Sequence, residues 1–297
     1  MKMATDRVMD NITRALEASQ GRRTQKSVKF KPPKEFFTTS VAECATSLFA
    51  PISEQKRGKQ SDLDHKLPRT IQWRKRNYKL TQTLLRMSHK TILECLLALS
   101  CEEKFKGFEP KSGQLKITTT RYVLTQLIFG GCAPNHYKFL ERGLEDLQHA
   151  RIDGWAIVSD VISKDTQLEV WLSKEYLDFV QKGTPIDRRH YHNGFATLKQ
   201  VKLKHRAAVV AILQSVLKDK PRYGKYGWFG RSLEGVMQEL DIPEFYTPRQ
   251  AVEIKSNFKN QLFLDVLMEH LRIEVVPTTD RRDWVIRPHK MKVKEHT

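Results

Sequence analysis

Between Leu80 and Ser100 the apolar residues fall at Leu80, Leu84, Leu85, Ile92, Leu93, Leu96 and Leu97. Steps of three and four put them on one side of a helix, so "LTQTLLRMSHKTILECLLALS" is expected to be helical with a buried face. "ITTTRYVLTQLIFGG" reads as a second helix, capped by threonine and closed by Gly130-Gly131. "APNHYKFLERGLEDLQHARI" reads as a third, with Tyr137, Leu140, Leu144 and Leu147 on one side. The period then changes to that of strands in "GWAIVSDV" and "TQLEVWLS", joined by the polar turn "ISKD".

The order recurs further on. "FATLKQVKLKHRAAVVAILQSVLK" is a long helix with Leu198, Val201, Ala208, Ile212, Leu213 and Val216 for its core, and "RSLEGVMQELDI" is a short second one. Thr247-Pro248 starts a third, because threonine caps free N–H groups and proline lacks the N–H that would go unpaired. That helix begins polar, in "RQAVEIKSNFKNQ", and turns apolar in "LFLDVLM". "RIEVVPTTDRRDWVIRP" supplies two short strands around a turn carrying Arg281 and Arg282. Three helices followed by a β-hairpin is the order of a winged helix, whose third helix can enter a DNA groove. The expected class is therefore α+β, with tandem winged-helix domains over 76–187 and 199–290. A linker spans 188–198, a basic tail 291–297, and a flexible, mostly extended basic arm 1–75. Within the arm, Thr5 to Ser19 is expected to make one amphipathic helix on Val8, Ile12 and Leu16.

Charge sharpens this picture. The 297 residues carry a formal net charge of +18, which suits a densely anionic partner such as nucleic acid. Lys and Arg outnumber Asp and Glu by 18 to 8 over residues 1–80 and by 19 to 12 over 199–297, but only by 15 to 14 over 81–198. The flanking segments thus suit DNA, and the middle one suits a dimer surface, with "QLEVWL" as the strand offered for pairing with a twin. No apolar run approaches the ~20 residues of a membrane span, and the start lacks a secretory signal. Cys44, Cys95, Cys101 and Cys132 form no C-x-x-C pair and read as reduced core cysteines of a cytoplasmic protein. Neither a metal nor a cofactor is expected.

The residues expected to meet DNA follow from this layout. In the second unit they are Arg249, Lys255, Ser256, Asn257, Lys259, Asn260 and Gln261 on the third helix, with Asn257, Lys259 and Asn260 reading base edges. Arg281 and Arg282 lie in the wing, and Arg222, Lys225 and Arg231 in a glycine-rich basic loop. In the first unit they are Asn135, Lys138 and Arg142, again on the third helix.

Three stretches, "FATLKQVKLKHRAAVVAILQSVL", "QLEVWLSKEYLDFV" and "FKNQLFLDVLMEHLRIEV", together with the order of the units, resemble the iteron-binding replication initiators of bacterial plasmids. The resemblance covers roughly Leu80 to Pro288. The chain departs from the family in having Asn260 and Gln261 where arginines are usual, and "VAILQS" in place of "RLYELL". The resemblance implies a nucleoid-associated bacterial protein that binds repeated origin sites on double-stranded DNA, helps open the origin and recruits host or element-encoded replication proteins. It also implies a homodimer formed through the first winged helix.

Two rival readings stay open. A winged-helix transcriptional regulator has the same sequence features. A rolling-circle nickase would use His190 and His192, which flank Tyr191, to hold a metal beside a tyrosine nucleophile. None of the eight tyrosines has a lysine three or four residues later, so "RRHYHNG" reads better as the seam between the units. "SDLDH" (Asp62, Asp64, His65) lies among lysines and polar residues and reads as a solvated linker. No phosphate-binding G-x-x-x-x-G-K-[ST] loop occurs.

Overall fold

A computed structural model describes residues 37–40, 48–52, 67–73, 76–100, 106–109, 113–129, 131–181, 185–187, 201–217, 223–224, 227–228, 230–279 and 282–289. The fold is mixed α and β, with small antiparallel sheets. It divides into two compact units, Met1–Phe49 with Glu54–Arg189 and Ala50–Ser53 with His190–Thr297.

The first unit holds β1 (Phe37–Ser40), β2 (Arg69–Trp73), β3 (Arg76–Thr81), α1 (Met87–Ser100), β4 (Lys106–Glu109), β5 (Gln114–Thr120), α2 (Arg121–Phe129) and α3 (Pro134–His149). After these come β6 (Arg151–Ile152), β7 (Trp155–Ala156), β8 (Val158–Lys164), β9 (Gln167–Leu172), α4 (Lys174–Gln181) and β10 (Pro185–Asp187). Its main sheet runs β4-β5-β9-β8, a second runs β2-β3-β6-β7, and β1 pairs with β10. Alternate residues of β5 and β9 bury Leu115, Ile117, Leu168, Val170 and Leu172, the two-residue period of a sheet with one covered face. The core also takes Leu93 and Leu96 of α1, Leu124 of α2, and Leu140, Leu144 and Leu147 of α3. Helices α1 and α3 come close because Gly143 has no side chain; a Cβ there would overlap Ile92 Cδ1. His89 joins the same two helices. Its Nδ1 accepts from the Arg86 N–H at 3.0 Å, which leaves Nε2–H to donate to Asp146 Oδ2 at 3.0 Å.

The second unit holds α5 (Leu203–Leu217), the two-residue strands β11 (Tyr223–Gly224), β12 (Gly227–Trp228) and β13 (Arg231–Ser232), then α6 (Leu233–Glu239), α7 (Ile242–Phe245) and α8 (Pro248–Asn257). Helix α9 (Gln261–Val266) continues through one π turn (Leu267–Leu271) into β14 (Ile273–Pro277) and β15 (Trp284–Pro288). The sheet order β13-β15-β14 repeats the β5-β9-β8 order of the first unit. Helix, strand, two or more helices and a hairpin therefore occur twice, with the hairpin's second strand central each time.

Several boundaries differ from the sequence reading. Leu80 lies in β3, paired with Arg69, and the first helix starts at Met87; Gln82 at φ 70° turns the chain between them. Leu84 and Leu85 are buried ahead of the helix, so their spacing reflected burial without helicity. Ile117 and Thr119 belong to β5, and the cap of α2 is Thr120, whose Oγ1 accepts from the Val123 N–H. Of the expected turn "ISKD" only Asp165 (φ 51°) is in the β8–β9 turn, which it forms with Thr166, while Ile162, Ser163 and Lys164 belong to β8. Strand β9, "QLEVWL", is paired on both sides and offers no edge; β4 and β8 are the outer strands of that sheet. Arg69–Trp73 is a paired strand, Phe37–Ser40 pairs with Pro185–Asp187, and Leu48, Phe49, Ala50, Ile52 and Ile71 are buried. These parts of 1–75 are folded and are no arm. The expected helix over Thr5 to Ser19 and the seam 188–198 lie outside the described residues.

Gly230 gives a direct test of the second core. A Cβ there would overlap Val285 Cγ1 and stand 3.3 Å from Arg287 Cβ, whereas one on Gly131 would meet nothing within 4 Å. Gly230→Ala is expected to destabilise the fold by roughly 1–3 kcal/mol, as overpacking does. Gly131→Ala should be close to neutral. Thermal unfolding of the full chain followed by circular dichroism compares the two.

Candidate nucleic-acid interface

Helix α8 starts as its first residues dictate. Thr247 Oγ1 accepts from the Gln250 N–H at 3.3 Å, and Gln250 Oε1 accepts from the Thr247 N–H at 2.9 Å, while Pro248 fills the first position. Ile254 is buried beneath, and Arg249, Val252 and Ser256 form an exposed stripe at three- and four-residue steps. The Arg249 side chain is 91% exposed. Lys259 and Asn260, also exposed, follow the stripe.

Glu253 lies beside the stripe and gathers cations. Its Oε2 is 3.1 Å from Lys204 Nζ, 3.4 Å from Lys202 Nζ and 3.6 Å from His205 Nε2, and its Oε1 is 3.6 Å from Arg249 Nε. The hydrogen bond from Lys204, with help from Lys202, outweighs the opposing effect of burial and holds the carboxyl below its ordinary range. His205 is buried; that burial, reinforced by the lysine charges, holds its pKa below the ordinary value of 6.5.

Lys255 does not face outward with the other cations. Its Nζ is 2.9 Å from Glu234 Oε2 and 2.9 Å from Asp283 Oδ1, with only 20% of the side chain exposed. Burial disfavours its charge, but the two carboxylates outweigh that and raise its pKa. Asp283 completes the joint. Its Oδ2 accepts from the Glu234 N–H at the start of α6, and its own N–H donates to Thr278 Oγ1 across the turn between β14 and β15. Burial would raise this carboxyl; the Lys255 ammonium and the backbone N–H groups hold it down. One side chain thus fastens the hairpin to α6 and, through Lys255, to α8.

Other expected contacts are also taken up inside the unit. Arg231 donates from Nη1 to Ser215 Oγ at 3.0 Å and pairs through Nη2 with Glu239. Asn257 Nδ2 donates to the Glu253 and Ile254 carbonyls at 3.0 Å, closing α8 where the sequence predicted an unbroken helix. Buried Phe258 and the turn through Asn260 then start α9 afresh. Gln261 Nε2 donates to Asp265 Oδ1 at 2.7 Å. Asn257 thus bonds to carbonyls of its own helix, whereas Lys255 and Arg231 are held by groups on other elements. Arg282 is exposed in the hairpin turn. Arg222, Lys225 and Arg281 lie outside the described residues.

In the first unit, Asn135, Lys138 and Arg142 are exposed along one side of α3. His136 stacks on Phe129 with centroids 4.3 Å apart, and its Nδ1 is 2.9 Å from the Gly131 carbonyl; His149 Nδ1 is 2.8 Å from the Glu145 carbonyl. Cys95 is buried and Cys132 half-buried, and neither is in a disulfide. Among the described residues no three His, Cys, Asp or Glu side chains cluster to hold a metal, and no helix is long and apolar enough to cross a membrane. His190, His192, Asp62, Asp64, Cys44 and Cys101 lie outside the described residues.

The sequence reading missed Asp283, Glu253 and His205. Asp283 follows Arg281 and Arg282, which drew the reading of that turn, and the partners of Glu253 and His205 come together only in the fold.

Lys255→Met is expected to lower stability by roughly 1–2 kcal/mol, because it strands Asp283 and Glu234 without their cation. Chemical denaturation of the full chain measures this. His205 gives a pH test. Since its folded pKa is depressed, the unfolded chain takes up the proton first, so stability falls as pH drops below about 6.5. His205→Gln should flatten stability against pH between 7 and the folded-state pKa.

No family model matches the chain, and neither do curated proteins nor solved structures.

Proposed function

We propose that the chain is a sequence-specific duplex-DNA-binding replication initiator, made of two winged helices and acting by binding, without catalysis. The observation that carries this reading is the exposed stripe on α8. It holds Arg249 and Ser256 in a chain of net charge +18, and the carboxylate beside it, Glu253, is offset by Lys202, Lys204 and Arg249 itself. The repeated helix–strand–helix–hairpin order supports the winged-helix assignment, since that order sets a helix and a wing against DNA together. The Asp283 joint supports it further, for it fixes hairpin and helix to a common base.

Helix α8 is better suited than α9 to enter the groove. The outer face of α9 exposes Asp265 and Glu269, which would repel phosphates. Arg249, Lys259 and Arg282 then set register on the backbone while Ser256 and Asn260 are within the part that meets base edges. In the first unit Asn135, Lys138 and Arg142 make a second, weaker contact. The near balance of charge over residues 81–198 suits a homodimer, with β4 or β8 as the pairing edge. Origin repeats and replication partners come from the resemblance to plasmid initiators.

Fluorescence anisotropy of the full chain on labelled duplexes at several salt concentrations tests DNA binding. Affinity should fall with salt, and Arg249→Ala should reduce the log–log slope by about 0.9 if it neutralises one phosphate. A salt-independent affinity, or none, overturns the reading. Maintenance of an origin-bearing plasmid that depends on the protein separates an initiator from a regulator.

A further inference from the structure

Val252 is 68% exposed and Leu262 66%, the two large apolar side chains most open to water among the described residues. Leu262 shares its helix with the exposed carboxylates of Asp265 and Glu269. Val252 sits midway along the α8 stripe, three residues after Arg249 and four before Ser256, with Ile254 on the opposite, buried side. A valine there contributes nothing to the core, and its branched methyl groups cannot form hydrogen bonds. What it can contribute is apolar contact with something that polar neighbours hold against it.

We propose that Val252 is a specificity-determining residue that packs on the 5-methyl group of a thymine in the major groove; this rests on the DNA-binding reading above. Among the four bases only thymine presents a methyl group on that edge, so an apolar side chain between polar ones distinguishes it from cytosine. Arg249, a turn before it, is long and almost fully exposed, and it reaches a phosphate while the short valine stays at the base edge. The β-branched side chain is stiff, so little rotamer freedom is lost on contact. Capping by Thr247 and Gln250 fixes the turn that carries it.

The test uses the full chain and a duplex enriched by that chain from a randomised pool. Each thymine is replaced in turn by deoxyuridine, which removes the 5-methyl group and leaves base pairing intact. At one thymine or a pair of adjacent ones, the change is expected to weaken binding about three- to fivefold, the effect of exposing one methyl group. Val252→Ala should weaken binding to the thymine duplex by a similar factor and lose sensitivity at that position, while Leu262→Ala keeps it. Because Val252 is exposed, the alanine variant should match the parent in its circular dichroism spectrum and unfolding midpoint. Indifference to deoxyuridine everywhere, or unchanged sensitivity in Val252→Ala, overturns the proposal while leaving sequence-specific binding intact. Enrichment of no preferred duplex overturns the DNA reading itself, and the proposal with it.

Discussion

The second unit depends on the carboxylate of Asp283. A two-stranded hairpin has too little apolar surface to hold its own orientation, and β14 and β15 gain theirs from β13 on one side and this side chain at the tip. Asp283 accepts a backbone N–H that the first turn of α6 would otherwise leave without a partner, and it meets the Lys255 ammonium from α8. Three elements distant in sequence are thereby fixed to one another at a single point. In the first unit His89 and Asp146 have a comparable place between α1 and α3, beside the gap left by Gly143.

The same economy explains the fate of the basic residues. A net charge of +18 invites every lysine and arginine to be read as a DNA contact, yet Lys255 and Arg231 are spent inside the fold on Asp283, Glu234, Glu239 and Ser215. What distinguishes them from Arg249 and Lys259 is the presence of an acceptor on a neighbouring element. Glu253 works the other way: on the side of α8 it gathers Lys202, Lys204 and Arg249, so its negative charge is offset where it lies.

Much of the architecture was legible in the sequence because it rests on local chemistry. Thr247-Pro248 marked a helix start that is capped as expected, and the hairpin strands at 273–277 and 284–288 were evident from their apolar runs. Asn135, Lys138 and Arg142, placed on the third helix as DNA contacts, are exposed there. Burial without helicity misled the reading at Leu80, Leu84 and Leu85, since a strand end and a loop can bury leucines at the same intervals. The break at Phe258 was hidden because Asn257 looked like a polar surface residue; only its bonds to the Glu253 and Ile254 carbonyls reveal a helix end. Lys255 depends on partners 21 and 28 positions away and Arg231 on partners 8 and 16 away, none at the three- and four-residue steps that helical periodicity registers.

Both units place the second strand of a hairpin in the middle of a sheet. The two hairpins already differ at their tips: the first turns at Asp165, the second exposes Arg282. Nothing in the shared backbone order requires either charge, so the tips are free to diverge while the layers beneath stay fixed. Substitution at the exposed tips thus leaves the cores untouched, whereas substitution at Asp283 loosens a whole hairpin.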